Sequence, residues 1–169
     1  TDYYIRYKDY IKNVASSEIY ATWPDATIRA NILAILSFTM NRVYTEWYRN
    51  KGYNFTITSS TAFDQKWSYG RNIFSNISLI VDEMFQNFLS RPNVRQPILT
   101  QYCDGQRVSC PNWMTQWGSK YLGDDSVIIG LKSYQKVYFL IALFTTTIYH
   151  KASIKATIFF GFHRFLHKF

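Results

Sequence analysis

Histidine is absent from the body of this chain: His150, His163 and His167 all sit near its C-terminal end, and only two cysteines, Cys103 and Cys110, are present. A tetrahedral Cys/His metal site needs four ligands, so residues 1–124 cannot assemble one from these residue types. No basic, apolar leader opens the chain, which starts Thr1-Asp2-Tyr3 without Met; a fragment or a processed chain is the expectation. Long apolar runs are missing too. The longest candidate, Val137–Tyr149, has 13 residues, fewer than a bilayer-spanning helix requires, so membrane contact by the tail is not expected. Acidic residues are scarce, 11 against 19 Lys+Arg, but the imbalance is local. Residues 1–124 hold 13 basic and 10 acidic side chains, a net of +3, whereas residues 125–169 hold 6 and 1, a net of +5. In the body the basic residues are scattered rather than clustered on one element, which argues against nucleic-acid binding.

Aromatic residues are plentiful: 14 Tyr, 13 Phe and 5 Trp in 169 residues. That length suits one domain with a substantial core. The apolar spacing predicts an α+β fold with two main helices, at about 24–50 and 72–89, and a short N-terminal helix over Tyr10–Ser17, packed with short strands. Asp9 is a plausible N-cap and Pro24 fits a first helical position. Residues 3–8, 53–58 and 97–102 read as strands. The first long helix carries its apolar stripe on Ile28, Ile32, Ile35, Leu36, Met40, Val43 and Trp47. The second carries Ile73, Ile77, Ile80, Val81, Met84, Phe85 and Phe88, and Arg91-Pro92-Asn93 stops it.

One carboxylate stands out. Ile11, Val14, Ala15 and Glu18 fall at i, i+3, i+4 and i+7, so a helix through them places Glu18 on its apolar face. Lost hydration there penalises the charged form and raises the pKa, which is how a glutamic acid remains protonated for general acid work. From spacing alone, a capping or stapling role at the next helix is the stronger reading.

The stretch from Asp9 to Ala34 is similar to the opening segment of the stage II sporulation protein D and amidase-enhancer family of bacterial cell-wall proteins. The matching pieces are Tyr10-Ile11, Val14, Ser17-Glu18-Ile19, Trp23-Pro24 and Ala26 to Asn31. A second match, Thr115-Gln116-Trp117-Gly118, resembles that family's S-Q-W-G, and together they cover residues 7–124. The resemblance implies peptidoglycan remodelling in the cell envelope or outside the cell, as a lytic transglycosylase in which one glutamate, Glu18, is both acid and base. It implies no cofactor, peptidoglycan glycan strands as partner, and a cell-wall amidase as a further one. A non-catalytic glycan-binding or amidase-enhancer module is the alternative. In the loop Ser59–Gly70, Asp64-Gln65 and Trp67/Tyr69 resemble a family loop. Gln65, Gln116 and Trp117 are then glycan contacts, though an ordinary packed loop and a tight turn with a buried Trp fit the same residues. At Gly118 the resemblance suggests a close approach of backbone to glycan. Where the family carries Arg in an A-A-R-T-Y segment, this chain has Leu36.

Some relatives hold zinc near the segment containing Cys103 and Cys110. Without a histidine in the body, a disulfide closing that loop is favoured, with two reduced thiols as the alternative. Beyond Asp124 the chain departs from the family pattern, which predicts a divergent basic, apolar tail over 125–169, a replaced or frame-shifted terminus.

Overall fold

The computed structural model describes residues 1–110, 113–124 and 157–159. It is an α+β fold whose helices are α1 (Tyr7–Glu18), α2 (Asp25–Tyr44), α3 (Ser75–Met84) and α4 (Gln116–Asp124). Its strands are short: β1 (Phe88–Ser90), β2 (Tyr102–Cys103), β3 (Met114–Thr115) and β4 (Thr157–Phe159). β1 pairs antiparallel with β4, and β2 pairs parallel with β3 in the register Tyr102↔Met114 and Cys103↔Thr115. Apart from β4, the segment 125–169 expected to diverge, with its Val137–Tyr149 run, lies outside the described residues. Among the described residues no helix is long and apolar enough to cross a membrane.

α2 is the axis of the molecule. The sequence predicts one apolar stripe along it, yet nearly every side chain from Ala26 to Arg42 is buried. A helix covered on all sides must pair the polar groups it carries into the core. Those of α2 fasten the neighbouring elements and loops to it. Thr27 Oγ1 donates to the Ser119 carbonyl, and Asn31 Nδ2 donates to Ser119 Oγ. Ser37 Oγ accepts the Leu89 N–H at 2.8 Å, and Asn41 Nδ2 donates to the Pro97 carbonyl. Thr100 Oγ1 donates to the Ala34 carbonyl. Backbone groups of α4, β1 and the loop at Pro97 thereby find partners on α2 side chains.

Several boundaries differ from the sequence reading. α2 ends at Tyr44, not near residue 50, because Glu46 takes a left-handed conformation (φ 47°). The Trp47 N–H then reaches the Arg42 carbonyl and the Glu46 N–H the Val43 carbonyl, a Schellman closure. Glycine usually fills that position, so a glutamate there gives no stop signal. α3 begins at Ser75 and ends at Met84, because Ser37 and Ile98 capture the backbone of Leu89 for β1. Residues 3–8 form no strand: α1 starts at Tyr7, with Arg6 as its N-cap and Asp9 in the first turn. Residues 53–58 alternate in polarity but have no strand beside them among the described residues; Tyr53 and Phe55 pack on Tyr48, and Thr58 binds Asp64. Of 97–102, only Tyr102 enters a strand, and Pro97 bridges to Ser90.

Candidate functional site

Glu18 is the last residue of α1, held by the register of Ile11, Val14 and Ala15, all fully buried. Its carboxyl group is half-buried and receives two hydrogen bonds. The Lys66 backbone N–H donates to Oε1 at 2.7 Å and the Tyr102 hydroxyl donates to Oε2 at 2.6 Å. Burial pushes the pKa from 4.5 up to about 7, against the opposing pull of the Tyr102 and Lys66 hydrogen bonds and the Lys66 charge. The negative end of the α1 dipole acts in the same direction as burial. A carboxyl group with that pKa holds a proton about half the time at neutral pH, the condition for giving a proton and taking one back.

The direction of the Tyr102 bond is set one layer deeper. Gln65 is fully buried (0 % exposed), and its Nε2 donates to the Ile35 carbonyl at 3.2 Å. A carbonyl only accepts, so the amide nitrogen must face Ile35, which leaves Oε1 for the hydroxyls of Tyr10 and Thr39. The same Nε2 donates to the Tyr102 oxygen at 3.1 Å, so the Tyr102 proton points at Glu18. Burial and the nearby Glu18 charge push the Tyr102 pKa well above its usual value, which keeps that proton on the phenol.

Three contacts seat the loop that carries Lys66. Asn13 Nδ2 donates to the Ser68 carbonyl while Asn13 Oδ1 accepts the Ser68 N–H. Arg71 donates through Nε to the Ser16 carbonyl at 2.8 Å. The neighbouring carboxylate, Asp64, is committed elsewhere: it pairs with Arg42 at 2.8 Å and accepts from Tyr48 and Thr58.

A wall of aromatic rings follows Glu18 in the chain. Tyr20, two residues on and 53 % exposed, packs on Trp23 at 5.3 Å and on Trp117 at 5.8 Å. Trp117 also meets Trp23 edge-on at 5.2 Å and Tyr121 at 6.4 Å. β2 and β3 tie this wall to the carboxyl from the other side, since Tyr102 pairs with Met114 just ahead of Gln116-Trp117.

The residues singled out in sequence therefore take different places. Trp117 packs on Tyr20, two residues beyond Glu18 in the chain. Gln65 reaches no surface, so its place is behind Tyr102 and it cannot touch a glycan. Gln116 is buried as well. At Gly118 a Cβ would collide with Thr115 Oγ1, which is reason enough for glycine there. Leu36 is fully buried in the core. Cys103 and Cys110 are joined in a disulfide with Cα atoms 6.4 Å apart, and among the described residues no group of three or more His, Cys, Asp or Glu is placed to hold a metal. The sequence reading missed Tyr102 and the Lys66 N–H. The first lies 84 positions from Glu18, and the second is a backbone group with no side-chain signature.

Fold and site together define a small α+β domain with one desolvated, doubly hydrogen-bonded glutamate beside exposed aromatic rings. Compared with protein-family models, curated proteins and solved structures, the chain matches none.

Proposed function

We propose that this chain is a glycan-strand-cleaving domain of the bacterial cell wall, resembling the stage II sporulation protein D family and acting as a lytic transglycosylase. The observation that carries the reading is the Glu18 carboxyl: half-buried, its pKa raised to about 7, and oriented by Lys66 and Tyr102. Protonated Glu18 would deliver its proton to the glycosidic oxygen between muramic acid and glucosamine. The resulting carboxylate, steadied by the same two donors, would take the proton from the muramic acid hydroxyl that closes the anhydro ring. Proton count balances within one residue, so the second carboxylate of ordinary glycosidases is not needed. Tyr20, exposed and backed by Trp117, would supply a face on which a sugar can stack. The surroundings would be the cell envelope or the extracellular space, with glycan strands as substrate and a cell-wall amidase as partner.

Digestion of peptide-stripped glycan strands tests this directly. Wild type should release anhydro-ended fragments, and Glu18→Gln should lose roughly 10²-fold or more of that rate, the scale of acid–base catalysis. One observation favours a second reading: both Glu18 oxygens are engaged by the protein's own donors, which fasten the Lys66 loop and β2 to α1. In that reading the domain is a non-catalytic glycan binder or amidase enhancer. Wild type would then cosediment with wall sacculi without releasing anhydro ends.

A further inference from the structure

Asn13 lies on α1 little more than one turn ahead of Glu18, and it is buried (8 % exposed). Its amide grips Ser68 by both ends: Nδ2 donates to the Ser68 carbonyl at 2.8 Å, and Oδ1 accepts the Ser68 N–H at 3.0 Å. A carbonyl only accepts and a backbone N–H only donates, so this pairing fixes which way the amide points. Ser17, one turn on, donates to the same Oδ1 at 3.4 Å. The exchange of both bonds with one residue is how paired strands hold each other; here a side chain stands in for the second strand.

Two anchored residues bracket the backbone donor that reaches Glu18. On one side Gln65 is pinned to α2 through the Ile35 carbonyl and the Thr39 hydroxyl. On the other, Ser68 is pinned to α1 through Asn13. Lys66 between them is exposed, and the Trp67 N–H turns back to the Gln65 carbonyl at 3.1 Å. The Lys66 N–H therefore takes its position from its neighbours, and it meets Glu18 Oε1 at 2.7 Å. Arg71 and Phe74 both bond to Ser16 and fasten the loop beyond Ser68.

We propose that Asn13 is a positioning residue for Glu18: by clamping Ser68 it holds the Lys66 N–H on Oε1. Its own hydrogen bonds go to Ser68 and Ser17, so it acts on the carboxyl group through the loop. The inference deepens the catalytic reading above and rests on it for the use made of the proton. Withdrawing an N–H donor disfavours the anion and raises the pKa. The charged and titratable groups facing Glu18 are Tyr102 from β2, Lys66 from the loop and Tyr10 from α1 itself. Burial first, and then the Glu18 charge, push both phenols above their ordinary value, so neither ionises where Glu18 does. Asn13 is uncharged, and Asn13→Ala leaves that set of charges as it is.

Carboxyl-carbon NMR titration of the full chain, without substrate, tests the coupling. Glu18, Glu46 and Glu83 are its glutamates, and the Glu18 signal is the one that Glu18→Gln removes. In Asn13→Ala the Glu18 midpoint should rise by about one pH unit, the scale of a weakened hydrogen bond to a charged group. The Lys66 amide proton, which feels the charge through its hydrogen bond, should move less during the titration than in wild type. Ile28→Val, a small truncation of the core on α2, should lower stability and keep the wild-type midpoint. A midpoint unmoved in Asn13→Ala, or moved as far in Ile28→Val, would overturn the proposal. Hydrogen exchange in wild type decides the point if Asn13→Ala does not fold. The Lys66 and Ser68 amides should then open as one unit, and a Lys66 amide exchanging freely while Ser68 stays protected would sink the idea. Release of anhydro ends is read separately: a midpoint that follows Asn13 in a protein that cleaves no glycan strand retains the positioning role and refutes the catalytic reading.

Discussion

Glu18 is governed by two opposed influences, and their balance makes its behaviour measurable. Burial favours the neutral carboxyl, whereas the Tyr102 hydroxyl and Lys66 N–H favour the anion. Removing Tyr102's hydroxyl leaves burial less opposed. Tyr102→Phe should therefore raise the Glu18 pKa above about 7, and the limb of the pH–rate profile that reports Glu18 ionisation should move to higher pH; an unmoved limb would show that another group sets it. Stability carries the same signature. Folded Glu18 titrates near 7 and the unfolded residue near 4.5, so below pH 4.5 both states hold the proton. Between the two values only the folded state does, and stability falls as pH rises. Above about 7 the loss is complete, on the order of 3 kcal/mol. Urea unfolding at pH 5 and pH 8 should show that drop in wild type, with Glu18→Gln nearly flat over the same interval. At this scale the sequence was informative about the carboxyl and silent about its donors: apolar spacing within one helix is local, but a phenol from β2 and a loop amide meet Glu18 only after the chain has folded.

Among the elements, the contrast between α2 and its surroundings explains both what was legible and what was not. Helices α1, α2 and α3 announce themselves by apolar spacing, while the segments between them have little regular structure and are held by polar side chains of α2. That arrangement has no period to read. The stop at Glu46 shows the same limit, since a left-handed glutamate closes α2 where only glycine would have signalled it. Besides its contacts to α1, the loop 45–74 is tied to α2 by a buried ion pair. Arg42 and Asp64 are almost fully enclosed, at 9 % and 0 % side-chain exposure, and Asp64 also accepts from Tyr48 and from both the N–H and the hydroxyl of Thr58. Asp64→Ala would strand the Arg42 guanidinium without its partner and free three donors. A loss of roughly 3–5 kcal/mol is expected, a large part of the stability of a domain this size. Denaturant midpoints of the two proteins measure it, and a difference below about 1 kcal/mol would mean that water reaches Arg42 as well as Asp64 does.

Across the whole molecule, β2 and the loop that follows it link α1 to α4. Tyr102 reaches back to α1, Cys103 pairs with Thr115, and the Trp117 N–H donates to the Asp104 carbonyl at 3.0 Å. Inside the loop, Asp104 Oδ1 accepts from the backbone N–H groups of Gln106, Arg107 and Val108, and Gly105 turns the chain at φ 80° with its Cα facing Thr115. The Cys103–Cys110 disulfide closes this loop. Chain entropy for so short a closure contributes about 2.5 kcal/mol. The more informative consequence concerns Glu18, because Cys103 is covalently next to its donor. Opening the disulfide releases the end of β2, lengthens or breaks the Tyr102–Glu18 bond in part of the population, and so moves the carboxyl in the same direction as Tyr102→Phe. The Cys103→Ser/Cys110→Ser protein should lose stability to denaturant and show its Glu18 limb shifted to higher pH by less than Tyr102→Phe does. In the Tyr102→Phe background the same cysteine replacements should shift the limb no further. A limb that moves equally in both backgrounds would assign the disulfide's influence to a route that bypasses Tyr102, and the Trp117 wall, tied to the same loop through Asp104, would be that route.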